Sequence, residues 1–379
     1  MARSTSAVVV GAGIAGASTA LALRRQGLAV TLVDAWEPGH AAAASGGEHR
    51  ILRASHGTDE LYARWSRDAR VGWLQLAEQA GQELFVQCGA VMLAREGHTS
   101  WEDASRQTLT RLGIPHFVAP ASELPARLPV LDSRGIAYGL WEPEAGFVYA
   151  RRATVATTGQ FLREGGVLRR GRVTTDSREH PQLDGRPLEA DVVVMACGAW
   201  MGGLFPRSVR RLVQVVRQNV IMIEPPPGET AYDQGSFPCW IDHGNNAYGI
   251  PAAGGYGFKA VLVWKQLSID LNGEDRIVDA TSIARTRRYI SQRFPGLAGR
   301  PINGTAVGQI ANTIDTHFLI DRHPEHERVV LVAGDSGHLF KHGPVVGDYV
   351  AGLALRRYET DPRFRLRDRG SVDAASRPQ

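Results

Sequence analysis

The chain is expected to form an α/β fold in which a parallel-sheet domain is interleaved with a β-rich domain of mixed sheet and helices. Three observations carry that expectation. The chain opens on a strand, a glycine turn, a helix and a second strand, in VVVGAGIAGASTALALRRQGLAVTLVD. Stretches of helical periodicity then alternate with stretches of short strands, so each domain must be assembled from separate segments. Late in the chain the apolar run VVLVAG passes into a turn and a Gly- and Ala-rich helix, DSGHLFKHGPVVGDYVAGLAL.

Taken in order, residues 7–10 read as a buried strand and 14–26 as a helix rich in Ala and Leu, closed by Gly27. Residues 28–33 give a second buried strand ending at Asp34, which completes a βαβ opening. The loop GHAAAASGGEHR leads to a helix over about 58–82. From FVQCGAVMLAR the pattern is strands and turns to about residue 147. Helix returns at about 151–164, followed by strands at RVTTDS and ADVVVMACGAW. Residues 212–268 are strand-rich again, and a polar helix covers about 275–293. The segments 1–83, 148–213 and 312–372 are therefore assigned to one discontinuous domain, and 84–147 with 214–311 to the other. The polar tail, 373–379, is expected to be mobile.

A length of 379 residues suits two domains with buried cores, and 43% hydrophobic with 22% charged residues is ordinary for a soluble enzyme. The net charge of +4 is spread along the chain with no basic block, which speaks for a small anionic ligand and against nucleic acid. Cys88, Cys197 and Cys239 are scattered without CxxC spacing, so neither a disulfide framework nor a metal site is expected. No apolar run approaches the roughly 18 residues that span a membrane. The opening imitates an export signal, but its regularly spaced glycines and direct passage into RRQGLAVTLVD are features no such signal needs. A cytoplasmic monomer or small homo-oligomer, without membrane or nucleic-acid partners, is the expectation. Of 43 basic residues only Lys259, Lys265 and Lys341 are lysine, so a lysine is expected where a compact ammonium does what a planar guanidinium cannot.

The loop Gly11, Ala12, Gly13, Ile14, Ala15, Gly16 has the GxGxxG spacing of a Rossmann-like dinucleotide site. Gly11 permits the turn, Gly13 lets backbone approach a pyrophosphate, and Gly16 lets helix pack on strand, while the helix start offers free N–H groups. Val33 and Asp34 end the second strand, eighteen residues past Gly16 in the case of Asp34, where a carboxylate accepts from ribose hydroxyls. The loop itself does not separate NAD from FAD. The strand ending ACGAW, with Cys197, Gly198 and Trp200, and the later VAGDSGH turn recur in flavoproteins with two dinucleotide-fold halves and favour FAD.

With GAGIAG and Asp34, SGGEHRILRASHG, ACGAW, YGIPAAGGYGFK, DTHFLIDRHPEH and VAGDSGHLFK present in this order, the chain resembles the FAD-dependent amine oxidoreductases of the D-amino-acid oxidase superfamily. Within it the resemblance is to the monomeric sarcosine oxidase and N-methyltryptophan oxidase group, over nearly the whole length. The resemblance implies that Arg50 lies against the flavin ring, that Arg53 and Lys341 bind the substrate carboxylate, and that Lys259 promotes reaction with oxygen near flavin N5. It implies that Tyr248 lines the substrate pocket and His338 sits by the flavin pyrimidine. Ser45, Gly46, Val173, Gly334, Asp335 and Gly337 are expected to contact FAD, with Lys341 also near the cofactor. Plainer alternatives stand beside these: a structural ion pair for Arg53, core packing for Tyr248, a satisfied loop histidine for His338. Cys197 is read as packing, not as a nucleophile.

Four positions depart from the pattern. Gly308 stands where those relatives attach FAD through cysteine, and no cysteine lies within sixty residues of it, so FAD is expected to bind without a covalent link. Val263 and Ile310 stand where the relatives carry His and Tyr, which makes the pocket more aliphatic and disfavours sarcosine itself. Asp335 replaces an aromatic residue and is expected to meet either a basic part of the substrate or the ribityl chain. The expected reaction is oxidation of an amino acid C–N bond to an imine by hydride transfer to FAD, with oxygen reduced to hydrogen peroxide. The alternatives are a dehydrogenase using another acceptor, an NAD(P)-dependent reductase, and a flavin-binding module without turnover.

Overall fold

A computed structural model describes residues 5–273, 276–367 and 369. The tail expected to be mobile lies outside the described residues. The parallel sheet that positions the glycine turn has six strands in the order Leu319–Arg322, Val329–Ala333, Val192–Met195, Ser6–Val10, Ala29–Asp34, Val167–Arg170. Its five neighbouring strands from Val329–Ala333 onward are parallel, and Leu319–Arg322 is an antiparallel edge. The Val-rich runs of the central strands follow from burial on both faces. Helix Ile14–Arg25 is Ala-rich because it is covered on nearly all sides. Where it meets helix Gly343–Ala354, a Cβ on Gly347 would lie 2.6 Å from the Ser18 backbone, so only glycine lets the two axes close.

A second sheet of eight strands has the order Ile302–Thr313, Val213–Ile223, Phe258–Leu262, Ala247–Ile250, Cys239–Asp242, Ala90–Arg95, Ile136–Glu142, Phe117–Pro120. All its pairings are antiparallel except Cys239–Asp242 with Ala90–Arg95. A small sheet of His49–Leu52, Gly146–Tyr149 and Phe85–Val86 carries the Arg50 segment. Helix Glu60–Ala80 is fixed at both ends: the Asp59 carboxylate accepts from the amides of Leu61 and Tyr62, and Gly81 closes it in the left-handed conformation.

Two sequence expectations need correction. Residues 100–111 form a helix, not strands. Its buried face is Glu102, Ser105, Thr108 and Leu109, too polar to register as a hydrophobic period. The polar helix begins at Ala280, where the Asp279 side chain accepts from the Ser282 amide, and its expected first residue, 275, lies outside the described residues. The strand Val167–Arg170 was not anticipated, because arginine fills half of it. Among the described residues no helix is long and apolar enough to cross a membrane.

Candidate active site

Strand Ser6–Val10 ends in a turn at which Gly11 adopts φ +101°, a conformation that side chains resist. Its amide donates to the Val33 carbonyl at 2.8 Å. A Cβ there would meet the Ala196 carbonyl oxygen at 2.4 Å, and one on Gly16 would meet the Gly11 carbonyl oxygen at 1.9 Å. The Ile14 amide donates to the Ser45 hydroxyl at 3.0 Å, and the helix start, with its positive dipole end, lies on the cavity wall where an anion is favoured. Asp34 accepts from the Ala12 amide at 2.5 Å and from the Trp36 amide at 2.8 Å, so it locks the loop as well as lining the cavity.

The cavity has a volume of about 750 Å³ and runs without a break from this turn past Arg50 to Arg53, Lys341, Tyr248 and Lys259. At its middle, Arg50 donates to the carbonyls of His49 at 2.8 Å and Ala44 at 2.5 Å. Lys259, 5% exposed, donates to the same His49 carbonyl at 2.9 Å. Burial, and then the Arg50 charge, push the Lys259 ammonium down to about 7. Tyr248 faces Arg50: burial pushes its hydroxyl up and the guanidinium draws it back.

At the far end Arg53 lies 5.1 Å over the Trp101 ring and donates to the Ser55 carbonyl. Lys341, 4% exposed, donates to the Arg53 carbonyl at 2.9 Å and stands 2.7 Å from His56 Nε2. Burial, and then Arg53, hold the Lys341 ammonium well below its ordinary range. The Trp73 indole fixes this turn by donating to the Lys341 carbonyl at 2.8 Å. Buried Glu142 fixes the other side, accepting from the amides of Ala54 at 2.7 Å and Ser55 at 3.0 Å. Neither Arg53 nor Lys341 makes an ion pair among the described residues: their partners are carbonyls and an imidazole. The structural ion pair entertained for Arg53 is therefore absent from this geometry.

Most expected residues line the one cavity: Gly11 to Ala15, Asp34, Ser45, Arg50, Val173, Cys197, Gly198, Trp200, Gly334, Asp335, Gly337 and His338 on the cofactor side. Ile310 and Val263 also line it, Val263 at the rim with 38% exposure. Gly16, Val33 and Gly46 do not. Gly16 is spent on helix packing, the Val33 side chain points into the core, and a Cβ on Gly46 would strike the His40 carbonyl oxygen at 1.9 Å. The Cys197 thiol is pushed up to about 12 by burial and then by Asp34, which keeps it protonated and unreactive. Asp335 accepts from the amides of Ala311 at 3.0 Å and Gly337 at 2.9 Å, so its oxygens tie the turn to strand Ile302–Thr313. His338 Nε2 meets the Thr316 carbonyl at 3.0 Å, and its Nδ1 is buried without a partner.

Several features escaped the sequence. Trp36 stacks on His40 with centroids 5.2 Å apart, and Arg172 lies over Trp36, at the nucleotide end. His243 packs on Trp101 at 3.9 Å beside the Arg53 end. His56, His338 and His342 cluster around Lys341, with ring centroids 5.5 to 6.1 Å apart. The cations Lys341 and Arg53 make that cluster a poor place for a metal ion.

FAD fits these residues. The glycine cradle and the helix start suit a pyrophosphate, and the cavity continues beyond them to a cationic wall, as a nicotinamide or a flavin ring requires. Cations beside a mostly apolar space, continuous with the glycine turn, define a dinucleotide-dependent redox site. The chain belongs to the FAD dependent oxidoreductase family, whose model matches residues 6–353. It is 28% identical to the peroxisomal sarcosine oxidase of Homo sapiens over 92% of each chain. It is 25% identical to the N-methyl-L-tryptophan oxidase of Salmonella arizonae, over 95% of this chain and 96% of that one. Its fold matches that of the L-proline dehydrogenase from P. horikoshii with a TM-score of 0.82, at 20% identity and 96% coverage of each chain.

Proposed function

We propose that this chain oxidises the C–N bond of an amino acid or N-substituted amino acid, with FAD held non-covalently and oxygen reduced to hydrogen peroxide. When bound, FAD supplies the two-electron acceptor: a hydride equivalent leaves the substrate carbon, an imine is released, and the electron pair goes on to oxygen. Arg53 and Lys341 bind the substrate carboxylate, which fixes the C–H bond that faces the ring. Arg50, at the middle of the cavity, would lie along the flavin ring. Lys259 holds positive charge where oxygen is reduced, and Tyr248 and Ile310 wall the amine and side-chain end, with Val263 at its mouth. Gly308 offers no thiol for a covalent link. The segments 1–83, 148–213 and 312–372 act as the FAD-binding domain, and 84–147 with 214–311 as the substrate domain.

One observation carries the proposal: two basic side chains, Arg53 and Lys341, stand at one end of the cavity without a carboxylate of the chain paired to either among the described residues. A substrate carboxylate supplies the missing charge. The names of the sarcosine and N-methyl-L-tryptophan oxidases support a substituted amino acid as substrate. The test is anaerobic bleaching of the flavin band by N-methyl, cyclic and primary L- and D-amino acids, followed by air. Bleaching by one class with rapid recovery is expected. Slow recovery makes the enzyme a dehydrogenase, and no bleaching by any carboxylated amine overturns the proposal.

A further inference from the structure

We propose that the carboxylate end of the site takes up a proton with each carboxylate it binds, and that His56 is the positioning residue that holds Lys341 for this exchange. The inference rests on the clamp assigned above to Arg53 and Lys341. Its starting point is the 2.7 Å contact between Lys341 Nζ and His56 Nε2. An ammonium has three hydrogens and no lone pair, so His56 Nε2 accepts whenever Lys341 is charged. The second Nζ contact, the Arg53 carbonyl at 2.9 Å, is again an acceptor, and the third position is left to face the cavity.

The groups that face Lys341 explain why its charge waits for a partner. Arg53 and His56 come from the segment after strand His49–Leu52, His338 and His342 from the turn that bears Lys341 itself, and Glu142 from the end of strand Ile136–Glu142. Tyr62, on helix Glu60–Ala80, closes the other side of the imidazoles, with ring centroids 5.4 Å from His56 and 5.7 Å from His342. Only Glu142 is acidic, and its oxygens are committed to the Ala54 and Ser55 amides and the Ser55 hydroxyl. The imidazoles of His56, His338 and His342 are all held far below their ordinary range, first by burial, so they add no charge but cannot take one either. His342 buries both ring nitrogens without a well-formed hydrogen bond, with the Trp65 carbonyl nearby.

An empty clamp is thus a desolvated amine beside a guanidinium, with neutral acceptors around it. A carboxylate entering at bonding distance from Nζ favours the ammonium, and one proton comes from solvent: amine, proton and carboxylate become an ammonium–carboxylate pair. Nothing is oxidised in this step. His56 keeps Nζ aimed between the Arg53 carbonyl and the cavity in both states.

The test uses the FAD-loaded enzyme and benzoate, a carboxylate with no oxidisable C–N bond. Titration calorimetry at pH 8 in phosphate and in Tris gives the protons exchanged per benzoate bound from the difference in heats. Uptake of about one proton is expected for the native chain and none for Lys341→Met. His56→Leu is expected to weaken benzoate about tenfold and to move the pH at which uptake fades, while His56→Gln, which keeps an acceptor oxygen, recovers most of the affinity. Benzoate bound with no proton exchanged, or bound by His56→Leu with native affinity and pH profile, overturns this inference and leaves the clamp standing. Failure of the native holoenzyme to bind benzoate at all overturns both.

Discussion

Arg50 and Lys259 donate to one and the same acceptor, the carbonyl oxygen of His49, at 2.8 and 2.9 Å. The His49 carbonyl in this way draws together Arg50 of its own strand and Lys259 from strand Phe258–Leu262, and the two basic groups are forced close together in a buried place. Their mutual repulsion, added to burial, is what brings Lys259 down to about 7.

Lys259 therefore acts as an ammonium only on the acid side of that value. The role proposed for it, favouring reduction of oxygen, should be present below about pH 7 and be lost as pH rises through it. Stopped-flow reoxidation of the reduced enzyme should slow on the alkaline side with one ionisation. Lys259→Met should lose that pH dependence and reoxidise about a hundredfold more slowly, with anaerobic reduction by substrate changed much less.

Removing either arm of the clamp should act on carboxylate binding. Arg53→Leu and Lys341→Met are each expected to weaken an N-methyl amino acid or a carboxylate inhibitor by about 10- to 100-fold, the loss of one charge-assisted hydrogen bond. Inhibition constants measured on the holoenzyme check this. Lys265, exposed at the cavity mouth, serves as the comparison, and Lys265→Met should bind within about twofold of the native chain.

Glycine at 308 is not demanded by space. A Cβ there meets only the Gln218 carbonyl oxygen at 3.8 Å and Gln218 Cβ at 4.0 Å. Gly308→Cys should fold and place a thiol on the cavity wall. Acid precipitation should release yellow FAD from the native protein, and the variant should retain a fraction of it on the chain.

The glycine turn makes the opposite prediction. Gly16→Ala drives a methyl into the Gly11 carbonyl, a backbone atom that cannot swing away, and should cost FAD retention together with about 1–3 kcal/mol of stability. Gly203→Ala, on the cavity wall but with nothing within 4 Å of the added carbon, should keep its flavin. Flavin-to-protein absorbance ratios after gel filtration separate the two.

Buried histidines give a stability prediction with a definite sign. His49 is held down to about 3, and His243 to about 4, in each case by burial first and then by neighbouring cations. Between the ordinary value near 6.5 and these folded values the unfolded chain binds more protons, so stability falls as pH falls through that window. Urea midpoints between pH 7 and 5 should drop, and His49→Phe, among Phe147, Tyr149 and Tyr256, should remove about one proton from that slope.

The opening strand, helix and strand, and the late strand running into helix Gly343–Ala354, were legible in the sequence because their glycine spacing and apolar runs are enforced locally. Helix Ser100–Arg111 was not, since its buried face is polar and its partner strands come from elsewhere. The same division holds in the site. Gly11, Asp34 and the two buried lysines, Lys259 and Lys341, announce themselves by motif and by the rarity of lysine. His56 and His342 do not: His56 gains its meaning only when the fold sets it against Lys341, far along the chain. Gly16, Val33 and Gly46 show the converse error, residues within a binding motif that serve the motif's packing.

The central claim is that a substrate carboxylate, held by Arg53 and Lys341, orients a C–N bond for oxidation. It is tested most directly by a matched pair: an N-methyl amino acid that bleaches the flavin, and the amine obtained by removing its carboxylate. The account predicts that the amino acid reduces the flavin at least about a hundredfold faster in anaerobic stopped-flow, and that Arg53→Leu abolishes most of that preference. Equal rates for the pair, or a preference untouched in Arg53→Leu, would contradict it.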